Sequence, residues 1–306
     1  MLLIIILYAL FASSFSFGKI LLEYSTPIFL PGIRMFLGGL ALLAYQYFYA
    51  NEEFRFKKKH WWLYAQIVFF GVYLNYILRF WALDYLTSSK TCFLYNFSPF
   101  FSALYSYFIF RESMSKRQWV GLIVGFVGLI PILLSSTTTE KTVGEFFFLS
   151  LPELAVLVSV ALHSYSWIVM RKLVRDKSYS PTLVNGVTMF AGGFLALVTS
   201  FIFETGPRVT NILPFAGWLL IVILISNVIC YNLYGNLLRK YSPTFLSFAG
   251  FLSPIFAGFY GWVFLSEHIT WHFYISGVIV FMGLYLFYQE ELKKYVDPEE
   301  HEKLLD

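Results

Sequence analysis

Ser98–Ile130 reads SPFFSALYSYFIFRESMSKRQWVGLIVGFVGLI, and Ser253–Tyr285 reads SPIFAGFYGWVFLSEHITWHFYISGVIVFMGLY. Laid side by side without a gap, Ser98, Pro99, Phe101, Tyr105, Glu112, Phe126, Gly128 and Leu129 meet Ser253, Pro254, Phe256, Tyr260, Glu267, Phe281, Gly283 and Leu284. Each stretch is an apolar run, a short polar turn and a second apolar run. Overall identity is low, but Ser-Pro, Glu and Gly-Leu hold their spacing through both. The chain reads as two copies of one helical unit.

Composition identifies the solvent. Of 306 residues, 58% are hydrophobic and only 13% charged, with a mean hydropathy of +0.67. Soluble domains carry about 25% charged residues, so lipid must cover much of this surface. A spanning helix needs about 20 apolar residues. Ten such segments fill the chain: 2–22, 29–50, 61–83, 87–110, 118–134, 147–170, 182–203, 215–238, 244–265 and 271–288. Backbone polar groups in hydrocarbon must bond within their own segment, which makes these segments helices. The alternation of a strand barrel is absent. The expected fold is an all-α integral membrane protein of ten transmembrane helices. Residues 1–134 form the first five-helix repeat and 147–289 the second, with a cytoplasmic tail at 290–306.

Several classes are excluded at this level. Cys92 and Cys230 sit inside apolar runs without disulfide or metal spacing. No metal cluster, phosphate loop or catalytic triad is present, so no cofactor, ATP-driven step or catalytic residue is expected. The net charge of +4 lies in loop lysines and does not make a nucleic-acid surface. The first segment lacks a basic residue before Leu2 and stays apolar past Ala12-Ser13, so it reads as a span and not a cleaved signal.

Lysine and arginine fix orientation. Arg55, Lys57, Lys58 and Lys59 follow span 2. Arg111, Lys116 and Arg117 follow span 4, and Arg171, Lys172, Arg175 and Lys177 follow span 6. Arg239 and Lys240 follow span 8, and Lys293 and Lys294 follow span 10. The opposite connections carry only Lys19, Lys90, Lys141 and Arg208. The positive-inside rule then puts both termini in the cytoplasm. Five spans per copy is an odd number, so the second copy enters from the opposite side. Glu112 becomes cytoplasmic and Glu267 external, with the linker at 135–144 outside. Inverted repeats of this kind build two-sided pathways, with substrate bound at their interface near the midplane.

These features together resemble the drug/metabolite transporter superfamily, EamA type. Phe15, Ser16, Phe17, Gly18 and Lys19, then Pro27 and Arg34, match the family pattern in spans 1–2. Tyr165, Ser166, Trp167, Arg171 and Lys172, then Ser180-Pro181, repeat part of it. The counterpart of Arg34 falls near Thr188, so the arginine is not duplicated. The resemblance implies a ten-helix carrier in a bacterial inner membrane, with a central cavity lined by spans 1–4 and 6–9. It places spans 5 and 10 at the periphery, where a homodimer contact would lie.

The candidate substrate-binding residues are Ser16, Lys19, Arg34, Asn75, Tyr76, Arg79, Asn96, Tyr165, Trp167, Asn227 and Tyr231; Pro99 and Pro254 are candidate gating residues. Charges in a bilayer usually face a cavity or a partner. Arg34 reads either as a cavity cation for carboxylate or phosphate or as a residue snorkelling to the outer interface. Lys19 carries the same two readings. Arg79 shares a helix face with Asn75 and either faces the cavity or pairs with Asp84. Asn227 and Tyr231 share a face of span 8, and asparagines there and at Asn96 serve as interhelical glue or as ligand groups. Pro99 and Pro254 remove a backbone bond mid-helix and read as gating bends or static kinks. His163 reads as a hydrogen-bonded structural residue or a proton relay. Glu153 reads as a solvated helix-start carboxylate, and Glu112 and Glu267 as turn and cap residues. Trp81, Tyr76, Phe97, Tyr165, Trp167 and Tyr231 could stack on a planar or cationic substrate or pack helix on helix.

The expected function is secondary transport of a small organic metabolite, amino-acid-like or nucleoside-like. Some EamA-type carriers of intracellular bacteria that resemble this chain import S-adenosylmethionine. Export of drugs or amino acids fits the same resemblance, and fold alone does not settle substrate. A membrane-embedded enzyme would need clustered Asp, Glu or His, and a passive channel would need no saturable site.

Overall fold

A computed structural model describes residues 2–48, 58–110, 115–128, 130–131, 143–146, 149–241, 243–267 and 270–296. Among the described residues, six helices are long and apolar enough to cross a membrane: α1 (Leu2–Leu22), α2 (Phe29–Phe48), α3 (Trp61–Tyr85), α7 (Leu151–Asp176), α8 (Pro181–Phe203) and α9 (Ile212–Leu237). Shorter helices complete the bundle: α4 (Ser88–Tyr95), α5 (Ser98–Phe110), α6 (Lys116–Val127), α10 (Pro243–Ala249) and α11 (Ser253–Leu265). The final helix, α12, spans Trp271–Val296. It runs past the expected end at 288 into the expected tail. The outward surface carries exposed Phe194, Phe201, Leu213, Trp262 and Val278, a surface suited to lipid. The chain is therefore a multi-pass membrane protein.

Two expected continuous spans are broken. The span expected at 87–110 divides into α4 and α5 around Asn96 and Phe97. The span expected at 244–265 divides into α10 and α11 around a 3₁₀ turn at Gly250–Leu252. Pro99 and Pro254 are thus not mid-helix kinks. Each sits in the first turn of a new helix, where its missing N–H would have no intrahelical partner. The two prolines mark discontinuities at matching places in the sequence halves. A second feature also recurs. α3 contains a π segment, Ile67–Leu74, and α9 another, Ile223–Cys230. π segments relax the ordinary helical ladder and often stand at functional sites. Here Asn75 and Tyr231 directly follow them.

Close backbone approach holds the centre. α2 and α8 cross at Gly39 and Gly193; a Cβ on Gly39 would overlap the Phe190 backbone, and one on Gly193 the Phe36 backbone. α6 and α12 meet in the same way, with a Cβ on Gly283 falling 2.5 Å from the Gly125 nitrogen.

At one end of the bundle, acids reach across the sequence halves to cap helices. Glu204, after α8, accepts from the N–H groups of Ile28 and Phe29 at 2.8 and 3.0 Å. Glu267, after α11, accepts from the Ser88 N–H at 2.7 Å, the Ser89 N–H at 3.1 Å and the Ser89 hydroxyl at 2.6 Å. A carboxylate opposes the positive end of a helix dipole. Glu267 therefore does cap, but it caps α4 and not its own hairpin. Lys90 meets Glu153 at 2.6 Å. Glu153 is buried, and also accepts from the Ser150 N–H in a capping box, so it is not the solvated carboxylate expected. Glu112, Arg55, Lys57, Arg111, Lys141 and residues 135–142 lie outside the described residues. A short antiparallel pair, Glu145–Phe146 with Leu149–Ser150, precedes α7. At the other end, His60 Nδ1 lies 2.9 Å from the Tyr179 hydroxyl, and the Tyr165 hydroxyl donates to Gln66.

Candidate functional site

A cavity of about 90 Å³ lies inside the bundle, and both helix breaks border it, through Asn96 and Ser98 on one side and Gly250 and Ser253 on the other. α1 supplies Tyr8, Phe11, Ser14 and Phe15; α3 supplies Tyr76 and Arg79; α7 supplies His163 and Trp167; α9 supplies Ser226, Tyr231 and Tyr234. Arg79 is the one charged side chain in this lining.

One wall is aromatic. The Trp167 ring lies 4.1 Å from that of Tyr234 and 5.4 Å from that of Tyr231. The Tyr231 and Tyr76 hydroxyls are hydrogen-bonded to each other. The Trp167 Nε1–H donates to His163 Nε2 at 2.8 Å. A ring nitrogen accepting this bond carries no proton, so the contact requires a neutral imidazole.

A polar network stands behind the cavity. Asn75 Oδ1 accepts from the Tyr95 and Ser159 hydroxyls, each at 2.7 Å. The amide of Asn75 donates to Gly71 O at 2.9 Å, the backbone of the π segment. Arg79 packs against Phe15 and Tyr95, its guanidinium carbon 4.2 and 5.1 Å from their ring centroids. It forms no ion pair with Asp84 among the described residues.

Of the residues expected at a binding site, Tyr76, Arg79, Asn96, Trp167 and Tyr231 line the cavity. Asn75 stands behind it and orients Tyr95. Arg34 is fully buried, with Nε donating to Asn227 Oδ1 at 2.9 Å and Nη2 to Ser226 Oγ at 2.6 Å. The snorkelling reading of Arg34 is thereby corrected: α9 covers this face of α2 and supplies neutral acceptors. Lys19 is not among the residues that line the cavity. Its ammonium donates to Leu83 O at 2.6 Å and Asp84 O at 2.8 Å, which places a cation at the carbonyl end of α3. Ser16 lies 3.3 Å from the Ser88 hydroxyl in the capped turn, away from the cavity. Tyr165 packs on Phe70 and Tyr105, while Phe97 packs on Phe100 and Phe126 and Trp81 on Tyr85.

Span 1 was expected to line the cavity, but through Ser16 and Lys19; the residues of α1 that border it are Tyr8, Phe11, Ser14 and Phe15. Tyr8, Phe11 and Phe15 follow helical spacing on one face of that helix, a signal that was available. Sequence reasoning missed Tyr95 and Tyr234 too. Asn96 and Pro254 also border an apolar groove of about 920 Å³ between α4, α11 and α12, where Val278 and Phe281 face outward.

The EamA-like transporter family matches residues 1–134 and 150–289. The chain belongs to this family. An S-adenosylmethionine/S-adenosylhomocysteine transporter of Chlamydia muridarum is 36% identical over 93% of this chain and 90% of its own length. A transporter of the same description from Chlamydia trachomatis serovar L2 is 35% identical over 93% and 88%. The uncharacterized transporter YoaV of Bacillus subtilis is 25% identical over 85% of this chain and 86% of its own. A solved crystal structure superposes with a TM-score of 0.66 over 93% of each chain at 15% identity, which shares the fold alone. This EamA-like protein is a transporter of the drug/metabolite type. Its cavity supplies a cation, hydroxyl and amide donors, and a stacking wall.

Proposed function

We propose that this transporter is a secondary carrier of S-adenosylmethionine, S-adenosylhomocysteine or a close adenosyl amino acid. It works in a bacterial inner membrane with both termini cytoplasmic. Residues 1–134 and 147–289 are read as inverted five-span repeats, with 290–306 as a cytoplasmic tail. Support comes from the paired helix breaks, one per half, and from the π segments Ile67–Leu74 and Ile223–Cys230 that recur within α3 and α9; a further short π turn, Lys172–Asp176, ends α7.

One observation carries the substrate reading: an aromatic cluster at Trp167, Tyr231 and Tyr234 and the Arg79 guanidinium line one cavity that both helix breaks border. Adenine is planar and stacks on such rings. An amino-acid end needs polar partners, and the broken helices free backbone groups beside it. Binding pockets for drug-sized ligands occupy about 300–1,000 Å³, and this cavity holds about 90 Å³. The described form is thus contracted at the centre, and substrate enters only when the halves part. The cross-half caps at Glu204 and Glu267 release in one direction, and the His60–Tyr179 contact releases in the other.

The test is a thermal-shift titration of detergent-solubilised protein with S-adenosylmethionine, S-adenosylhomocysteine, adenosine and methionine. The two adenosyl amino acids should stabilise strongly and the fragments weakly. Equal stabilisation by either fragment would transfer the assignment to a smaller substrate.

A further inference from the structure

Two buried donors at the edge of the cavity have no acceptor: Arg79 Nε and Asn96 Nδ2. Arg79 is 5% exposed and Asn96 is 4% exposed. The guanidinium lies over the Phe15, Tyr95 and Tyr76 rings and near the Ser14 hydroxyl, with Nη2 3.5 Å from Ser14 Oγ, all of them neutral groups. Ser14 donates its own proton to Phe11 O at 2.7 Å, so it presents only lone pairs to Arg79. No Asp or Glu lines the cavity. The nearby Arg34 adds a second buried guanidinium, bonded to neutral acceptors only. A positive centre this deep is costly unless an anion completes it.

We infer that Arg79 and Asn96 form a carboxylate subsite, and that the transporter accepts only substrates that bring a carboxylate to it. This deepens the adenosyl amino-acid reading and rests on it. The guanidinium fork presents Nε and an Nη to two carboxylate oxygens at once, and Asn96 adds a third donor from the α4–α5 break. Asn96 is the C-terminal cap of α4, with φ −71° and ψ 0°, so its backbone sits at the discontinuity. The aromatic cluster of Trp167, Tyr231 and Tyr234 lines the same cavity and takes the base. The present volume of about 90 Å³ suits a carboxylate-sized group, and opening is needed only for the remainder of the ligand. A compound keeping adenine and sulfonium but lacking the carboxylate would leave Arg79 buried, desolvated and unpaired.

The experiment measures uptake of labelled S-adenosylmethionine into proteoliposomes, competed by unlabelled S-adenosylmethionine or its decarboxylated counterpart. In the unaltered protein the decarboxylated compound should compete at least about tenfold more weakly, the loss of a charged hydrogen-bonded contact. In Arg79→Gln the two compounds should compete equally, because only the complete one loses affinity. Arg79→Lys, which keeps the charge but not the fork, should fall between. Equal competition in the unaltered protein, or discrimination surviving in Arg79→Gln, overturns the inference. If Arg79→Gln does not fold, Asn96→Asp replaces it, setting an acid beside Arg79, and it should abolish the discrimination. If no adenosyl compound is taken up, the adenosyl reading fails by itself. The subsite is then read by thermal shift with free amino acids against their amides. Stabilisation by the acids alone supports it, and equal stabilisation by both, or by neither, overturns it.

Discussion

The Lys90 ammonium lies 2.6 Å from the Glu153 carboxylate with both side chains buried, tying α4 of one half to α7 of the other. Removing one partner takes the ion pair away from a buried charge. Glu153→Gln should destabilise the protein by about 3–5 kcal/mol, read as a lower unfolding temperature in detergent. Lys90→Met combined with Glu153→Leu should recover much of that loss. A double variant as unstable as the single one would mean that packing, and not charge, holds this contact.

Glu267 holds the first turn of α4 through Ser88 and Ser89. Cys92, one turn further along, is buried and borders the cavity, which makes it a natural reporter. In a Cys230→Ser background it is the sole thiol. Loss of a helix cap costs about 0.5–2 kcal/mol. Glu267→Gln should therefore raise the rate at which a maleimide labels Cys92 by several-fold. Unchanged labelling would remove Glu267 from the gate.

The α2–α8 crossing leaves no room for a methyl group. Gly193→Ala should cost about 1–3 kcal/mol of stability, since the obstacle is the Phe36 backbone. Gly217 has nothing within 4 Å of its missing Cβ. Gly217→Ala should be neutral or stabilising by up to about 1 kcal/mol. Paired melting curves decide between them; equal losses at both sites would contradict the crossing.

Trp167 supplies both a stacking face and the N–H that positions His163. Trp167→Ala should weaken binding of an adenosyl ligand by about 1–3 kcal/mol, and Trp167→Phe should retain most of the affinity. Titration calorimetry in detergent reads the difference. Equal affinity in Trp167→Ala would place the base elsewhere.

The sequence located what is local and periodic. The duplicated Ser-Pro marked both helix breaks, although the residues flanking them looked like unbroken apolar runs. Arg79 and Asn75 were found because one helix face carries both. Arg34 was placed with a choice because its depth depends on Ser226 and Asn227, far away in the chain. Lys90 with Glu153, and Glu267 with Ser88, stayed hidden for the same reason: each pairing is made only when the halves meet. The π segments left no sign, because their composition is that of any apolar helix.

Carrier function itself is tested most directly by counterflow. Proteoliposomes loaded with unlabelled S-adenosylhomocysteine should take up labelled S-adenosylmethionine faster than empty ones, with an initial rate that saturates. A rate that rises linearly with concentration and ignores the internal load would contradict alternating access.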